Sequence, residues 1–258
     1  MNIRHFGRSI FMAPLLLLFM PNTWASDFAK EQRWADQIVD ALIDGEAEWL
    51  EADGRKFLSI YTEAESDTPQ YGAIVLHGIG VHPNWDQVIY PLRTGLVEYG
   101  IPTLSLQLPI LPNDAEEAAY APLIPQAGPR IAAGIRFLKQ RGAQRIVLIG
   151  HSLGSTMAAR YLAENTHQVA GFVAIGMQVR RRHPSTDADA MLKKISIPVL
   201  DLYGADDLQA VLDTAATKAD AASANQRYTQ VRMPGANHFF DGRNEQLLKT
   251  VAEWVEAL

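Results

Sequence analysis

From residue 71 onward the chain alternates short apolar runs with stretches of helical periodicity, and this alternation constrains the fold more than any other feature. The strand-like runs fall at 73–76, 102–107, 145–149, 169–175, 197–203 and 227–233, each of a length that suits a strand. Between them, Ile89, Leu92, Leu96 and Tyr99 share one helical face ahead of Gly100. Ile131, Ile135 and Leu138 share another, opened by Pro129 and stopped by Gly142. A helix is expected from about 208 to 222, and Leu247, Val251, Trp254 and Leu258 mark a closing one. Strands and helices in this order imply an α/β fold, a mostly parallel sheet with helices on both faces, whose strand C-terminal ends gather in one place. Ahead of it, Trp34, Ile38 and Leu42 give residues 28–43 one helical face, read as a surface helix across the domain edge. The stretches 47–50 and 56–61 flank Asp53-Gly54, a hairpin signal that predicts an N-terminal antiparallel pair.

The 258 residues suffice for a single α/β domain, expected over 26–258. Zero cysteines exclude disulfides, thiolate metal sites and a cysteine nucleophile. A net charge of -6, with the acidic residues spread out, leaves no basic footprint for nucleic acid. Residues 1–25 have the form of a secretory signal: Arg4, His5 and Arg8, then an apolar run from Ile10 to Met20, then Thr23-Trp24-Ala25 before Ser26. The run is about half of what a spanning helix needs, and Pro14 interrupts it. The expectation is cleavage after Ala25, no membrane span after processing and export, to a bacterial periplasm. Sequencing the N-terminus of the mature protein tests it.

The run 145–149 leads directly into Gly150-His151-Ser152-Leu153-Gly154 and then into helix-favouring residues. This is the sequence form of a nucleophile elbow, in which a serine on a cramped strand-to-helix turn is pushed out toward substrate and the following helix N-terminus faces a developing negative charge. The run 73–76 ends in His77-Gly78-Ile79-Gly80, whose glycines let backbone N–H groups turn inward. If the pattern holds, the Ile79 and Leu153 amides form an oxyanion hole. The run ending at Tyr203 exits through Gly204-Ala205-Asp206-Asp207, and the last run exits through 234–237 to His238. Serine, acid and histidine thus follow one another on three strand ends. A serine hydroxyl needs an imidazole to take its proton, and the imidazole needs a carboxylate to orient it.

On these landmarks the chain from about residue 71 to 258 resembles the α/β-hydrolase superfamily, and within it small esterases of the lysophospholipase and dienelactone-hydrolase kind and exported bacterial hydrolase-like proteins. The resemblance implies a serine hydrolase acting on a carboxylic ester or thioester of small-molecule size through an acyl-enzyme, with Ser152 as nucleophile, His238 as base and Asp207 as the acid, three residues after the glycine. Asp206 stays an alternative, since either aspartate also suits a helix N-cap; Asp201, inside the strand, ranks behind both. No metal or organic cofactor is implied. An amidase or peptidase with the same residues, or a non-catalytic binding protein on the same fold, are the rival readings.

Other features carry less. His151 and His77 are read as packing or hydrogen-bonding residues and His167 as a surface residue. The proline-rich stretch 108–128 is expected to be irregular, either a wall of the substrate pocket or a plain surface loop. Arg180, Arg181, Arg182 and His183 form a basic turn, either solvated or facing an anionic group.

Overall fold

A computed structural model of the chain describes residues 26–66, 68–181 and 183–258. The leader expected over 1–25 lies outside the described residues, as do Asp67 and Arg182. The chain opens with α1 (Phe28–Ala41), capped by the Asp27 side chain, which accepts from the Lys30 amide at 2.9 Å. The hairpin follows as β1 (Glu46–Ala52) and β2 (Arg55–Thr62), paired antiparallel with Ala52 opposite Arg55. Asp53 and Gly54 at φ 51° and 72° supply the left-handed residues that a two-residue turn requires. Ala35 and Ile38 of α1 pack on Leu58 and Ile60 of β2, so the helix covers the sheet where it is antiparallel.

The remaining strands are β3 (Tyr71–Leu76), β4 (Thr103–Leu106), β5 (Arg145–His151), β6 (Val169–Ile175), β7 (Val199–Asp206) and β8 (Tyr228–Asn237). They form an eight-stranded sheet in the order β1-β2-β4-β3-β5-β6-β7-β8. The pairs from β4 across to β8 are parallel, and β2 meets β4 antiparallel. Strands β3 to β7 are largely buried, as a position between two helical layers demands, whereas β8 at the sheet edge is partly exposed. Ile74, Leu148 and Phe172 point into one layer, with α3 (Ala127–Gln140) and α4 (Leu153–Glu164). Ala73, Val147 and Val173 point into the other, with α2 (Ile89–Gly95) and α7 (Asn244–Glu256). The short α5 (Ala188–Leu192) and the longer α6 (Gln209–Ala221) complete the helices.

Four details depart from the sequence reading. Residues 96–99 tighten into a 3-10 turn, with three residues per turn in place of 3.6. Tyr99 therefore swings off the buried face and is 37% exposed. The stretch expected to be irregular contains 3-10 helix over Glu117–Gln126, which holds Pro122 and Pro125 because their fixed φ suits such a turn. α3 begins at Ala127, not at Pro129, which sits in the first turn where an N–H has no helical partner to lose. β7 and β8 run on past Tyr203 and Met233 as a pair, with a bulge near Gly204. Pro234 is tolerated inside β8 because that strand is the sheet edge.

The strand order reverses between β3 and β5: from β3 the chain goes to β4 on one side, then returns to place β5 on the other. Leu76 and Gly150 are level across that pair. In open α/β sheets this is where a crevice opens beyond the strand ends.

Candidate active site

Ser152 sits at that reversal, between β5 and α4, at φ 52° and ψ -116°. A non-glycine residue there is strained and persists only if its surroundings hold it. Here they do. The Ser152 amide donates to the Ile175 carbonyl at 2.8 Å. Ser155, fully buried, donates to the Gly150 carbonyl at 2.5 Å and accepts from the Ile175 amide at 3.2 Å. The close approach needs both elbow glycines: a methyl at Gly150 would lie 2.5 Å from the Ser155 nitrogen, and one at Gly154 would strike the Leu76 carbonyl. Ser155 was not singled out in the sequence, where it is one more small residue of a helix.

Across the reversal, the turn after β3 carries Gly78, where a methyl would come within 3.3 Å of the Ser152 Cβ. The Ile79 amide in this turn and the Leu153 amide at the start of α4 have no hydrogen-bond partner among the described residues. His77 fixes the turn: its Nδ1–H donates to the Gly78 carbonyl at 2.8 Å and its Nε2 accepts from the Leu108 amide at 2.9 Å. Both bonds fit the neutral ring, and burial pushes its pKa down to about 3.

The structure brings His238 to Asp207, not to Asp206. His238 Nδ1 donates to Asp207 Oδ1 at 2.6 Å, with both groups buried. Asp207 also accepts from the Gly204 and Leu208 amides at 3.1 and 2.7 Å. Burial alone would raise its pKa, but the His238 hydrogen bond and charge, aided by those amides, outweigh that and hold it below the ordinary carboxylate value. Asp206, one residue earlier, is exposed and lies opposite Asn237 in the ladder. Asp201 is committed elsewhere, in a fully buried pair with Lys218 at 2.8 Å.

Gly176, just after β6, joins the two halves of the site. It has φ 58°, and a side chain there would collide with the His238 ring, 2.9 Å from Cε1. Because the Ser152 amide is bonded to Ile175, the residue before it, this glycine links the elbow to the imidazole. His151 adds a second tether: its Nε2–H donates to the His238 carbonyl at 3.0 Å. Burial, then the neighbouring His238, lower its pKa to about 4 and keep it neutral. Spacing along the chain shows none of this. Among the described residues the Ser152 hydroxyl and the second ring nitrogen of His238 have no hydrogen-bond partner, so the pair is open to a ligand.

Beside the elbow lies a cavity of about 410 Å³ lined by Tyr120, Ala121, Ile124, Leu153, Val179 and Thr186, among others. The proline-rich stretch therefore does form a pocket wall. In the basic turn, Arg180 pairs with Glu117 and Arg181 with Asp189. His167 is half-buried beside Tyr161 and remote from these groups. Among the described residues no group of three or more acidic, histidine or cysteine side chains could hold a metal ion, and no helix is long and apolar enough to cross a membrane.

Among solved structures the chain is similar to Est1E from Butyrivibrio proteoclasticus, at 16% identity over 83% of this chain and 98% of that one, with a TM-score of 0.64. It is similar to the esterase Pf2001 of Pyrococcus furiosus at 15% identity over 85% and 93%, TM-score 0.69. A serine hydrolase described as lacking a lid, from Xanthomonas campestris, matches at 20% identity over 83% and 94%, TM-score 0.63. At such identities the likeness is one of fold. No curated protein matches the chain at a significant level. The family described as "Protein of unknown function (DUF3530)" matches over residues 25–127 and 124–257. Those two segments span nearly all of the sequence, so the chain belongs to the DUF3530 family, and its sheet order and structural neighbours give it the α/β-hydrolase fold.

Proposed function

We propose that the chain is a serine hydrolase that cleaves a carboxylic ester or thioester through an acyl-enzyme. The observation that carries this reading is the 2.6 Å bond from His238 to Asp207 beside a serine held at φ 52°. The Asp207 carboxylate keeps the proton on Nδ1 of His238, which leaves Nε2 free to accept one. Ser152 Oγ attacks the substrate carbonyl carbon as its proton passes to Nε2. The carbonyl oxygen, now negative, takes hydrogen bonds from the Ile79 and Leu153 amides at the N-terminus of α4. The tetrahedral intermediate collapses as the imidazolium gives its proton to the leaving alcohol or thiol. Water, deprotonated by the same nitrogen, then attacks the acyl-serine and releases the acid. The esterase Pf2001 and the Xanthomonas hydrolase lend support as fold neighbours whose names state such activity.

The test is covalent labelling. A fluorophosphonate probe should label the wild-type protein and leave Ser152→Ala unlabelled; a folded wild-type protein that stays unlabelled would favour a binding protein on this fold.

A further inference from the structure

The cavity beside the elbow says what kind of ester fits, an inference that rests on the hydrolase reading. Leu153 contributes both its side chain to the cavity wall and its amide to the turn beside Ser152. The cavity thus adjoins the elbow through Leu153. Its volume suits one small ligand. Its inner wall is apolar: Tyr120, Ala121 and Ile124 on the 3-10 segment, Leu153 on the elbow helix and Val179 on the loop opposite. The Tyr120 hydroxyl is engaged, accepting from the Leu111 amide at 3.0 Å.

Among the described residues the arginines and the glutamate that line the cavity are each paired. Arg180 comes from the loop side and Glu117 from the 3-10 segment, so their ion pair spans the opening from one wall to the other. Arg181 is paired with Asp189, and the His183 ring nitrogen is taken up by Ser185. An acyl group that ends in a carboxylate would meet the Glu117 carboxylate and an Arg180 whose charge is spent. It would have to displace one or stay unpaired in a desolvated site, and both are costly. A neutral chain meets no such cost.

We propose that this cavity receives the acyl chain of a neutral ester, and that the Arg180–Glu117 pair across its mouth excludes acyl groups ending in a carboxylate. Glu117 is thereby a specificity-determining residue. The neighbouring basic turn acts as one side of a neutral clasp and not as an anion site.

The test compares 4-nitrophenyl hexanoate with the 4-nitrophenyl monoester of adipic acid, its carboxylate-ended counterpart. Glu117 is half exposed, so Glu117→Gln should fold, and it leaves Arg180 unpaired. The preference for hexanoate in kcat/KM should fall about two- to fivefold, the size expected when one partly exposed ion pair changes hands. Ala118→Trp, an exposed position on the cavity rim, should lower kcat/KM for hexanoate at least tenfold relative to acetate. Ratios unchanged in both variants, or a selectivity that follows the alcohol and not the acyl group, would overturn the proposal.

A binding measurement separates this from failure of the hydrolase reading. Hexanamide and the monoamide of adipic acid are offered to Ser152→Ala and followed by saturation-transfer NMR. Binding of hexanamide alone, abolished by Ala118→Trp, supports the cavity assignment even for a protein that no fluorophosphonate labels. Equal binding of the two amides, or of neither, overturns it.

Discussion

Asp206 and Asp207 are neighbours of identical chemistry placed in opposite surroundings. At a strand end consecutive side chains point to opposite sides, so one carboxylate lies in solvent and the other is buried against His238. Asp207→Asn should lower kcat/KM for a nitrophenyl ester by about 10³- to 10⁴-fold, because the imidazole loses the partner that sets its tautomer. Asp206→Asn should stay within about threefold, as expected of an exposed side chain. The reverse pattern in the two variants would transfer the acid's role to Asp206. The serine, the histidine and an acidic pair were legible because each follows a strand-like run. The choice between the two aspartates rested on resemblance, since it depends on the bulge between β7 and β8. His151 and Gly176 were invisible as parts of the site. Their partners lie far along the chain, and only the gathering of the C-terminal ends of β5, β6 and β8 in one parallel sheet brings them together.

Among the elements, α1 does more than cover a sheet edge. Glu31 pairs with Arg130 of α3 at 3.0 Å, both mostly buried, and Lys30 donates to the Leu111 carbonyl at 2.8 Å. Ser26, the first described residue, bonds to Ile110 and to Glu31. Arg130 in turn holds the Gln107 carbonyl at 2.9 Å, next to the Leu108 amide that fixes His77. The helix is therefore tied to the segment that supports both the turn after β3 and the cavity wall. Glu31→Gln removes one half of a buried ion pair and should cost about 3 kcal/mol, read as a lowered urea midpoint. Replacing both residues by apolar ones, Glu31→Leu with Arg130→Met, should recover most of the loss. A single variant as stable as wild type would show that the pair contributes nothing. The helix itself was legible from Trp34, Ile38 and Leu42. Its second, charged attachment was not, because a buried ion pair leaves no period in the sequence.

At the scale of the molecule, the two layers around the sheet hold two neutral histidines whose pKa values burial pushes down to about 3 and about 4. In the unfolded chain each titrates near pH 6.5. Between that pH and the folded values the unfolded state binds more protons, so stability must fall as pH falls through this window. From pH 7 to pH 4 the loss should be on the order of 3 kcal/mol for each histidine. Asp207 works in a lower window: its depressed pKa contributes stability above the ordinary carboxylate value and loses it only as pH falls further. Urea unfolding at pH 7, 5.5 and 4 checks this. His151→Gln should flatten the decline between pH 6.5 and 4 and leave the drop below it. A stability independent of pH across that interval would contradict the buried, neutral state of both rings.

The order of strands and helices, the parallel sheet and the three strand ends that hold Ser152, Asp207 and His238 were determined by the sequence itself. Apolar period and glycine placement are local properties, and local sterics act on each segment wherever it is packed. The tertiary structure alone decided which aspartate meets His238, which glycine makes room for it, and how Arg180 and Arg181 are paired with Glu117 and Asp189. Each of these is a contact between residues distant in the chain, and its existence depends on strand order and on a bulge in one edge pair. The elbow is set by five consecutive residues, whereas the surroundings that hold Ser152 at its strained angle are set by the sheet.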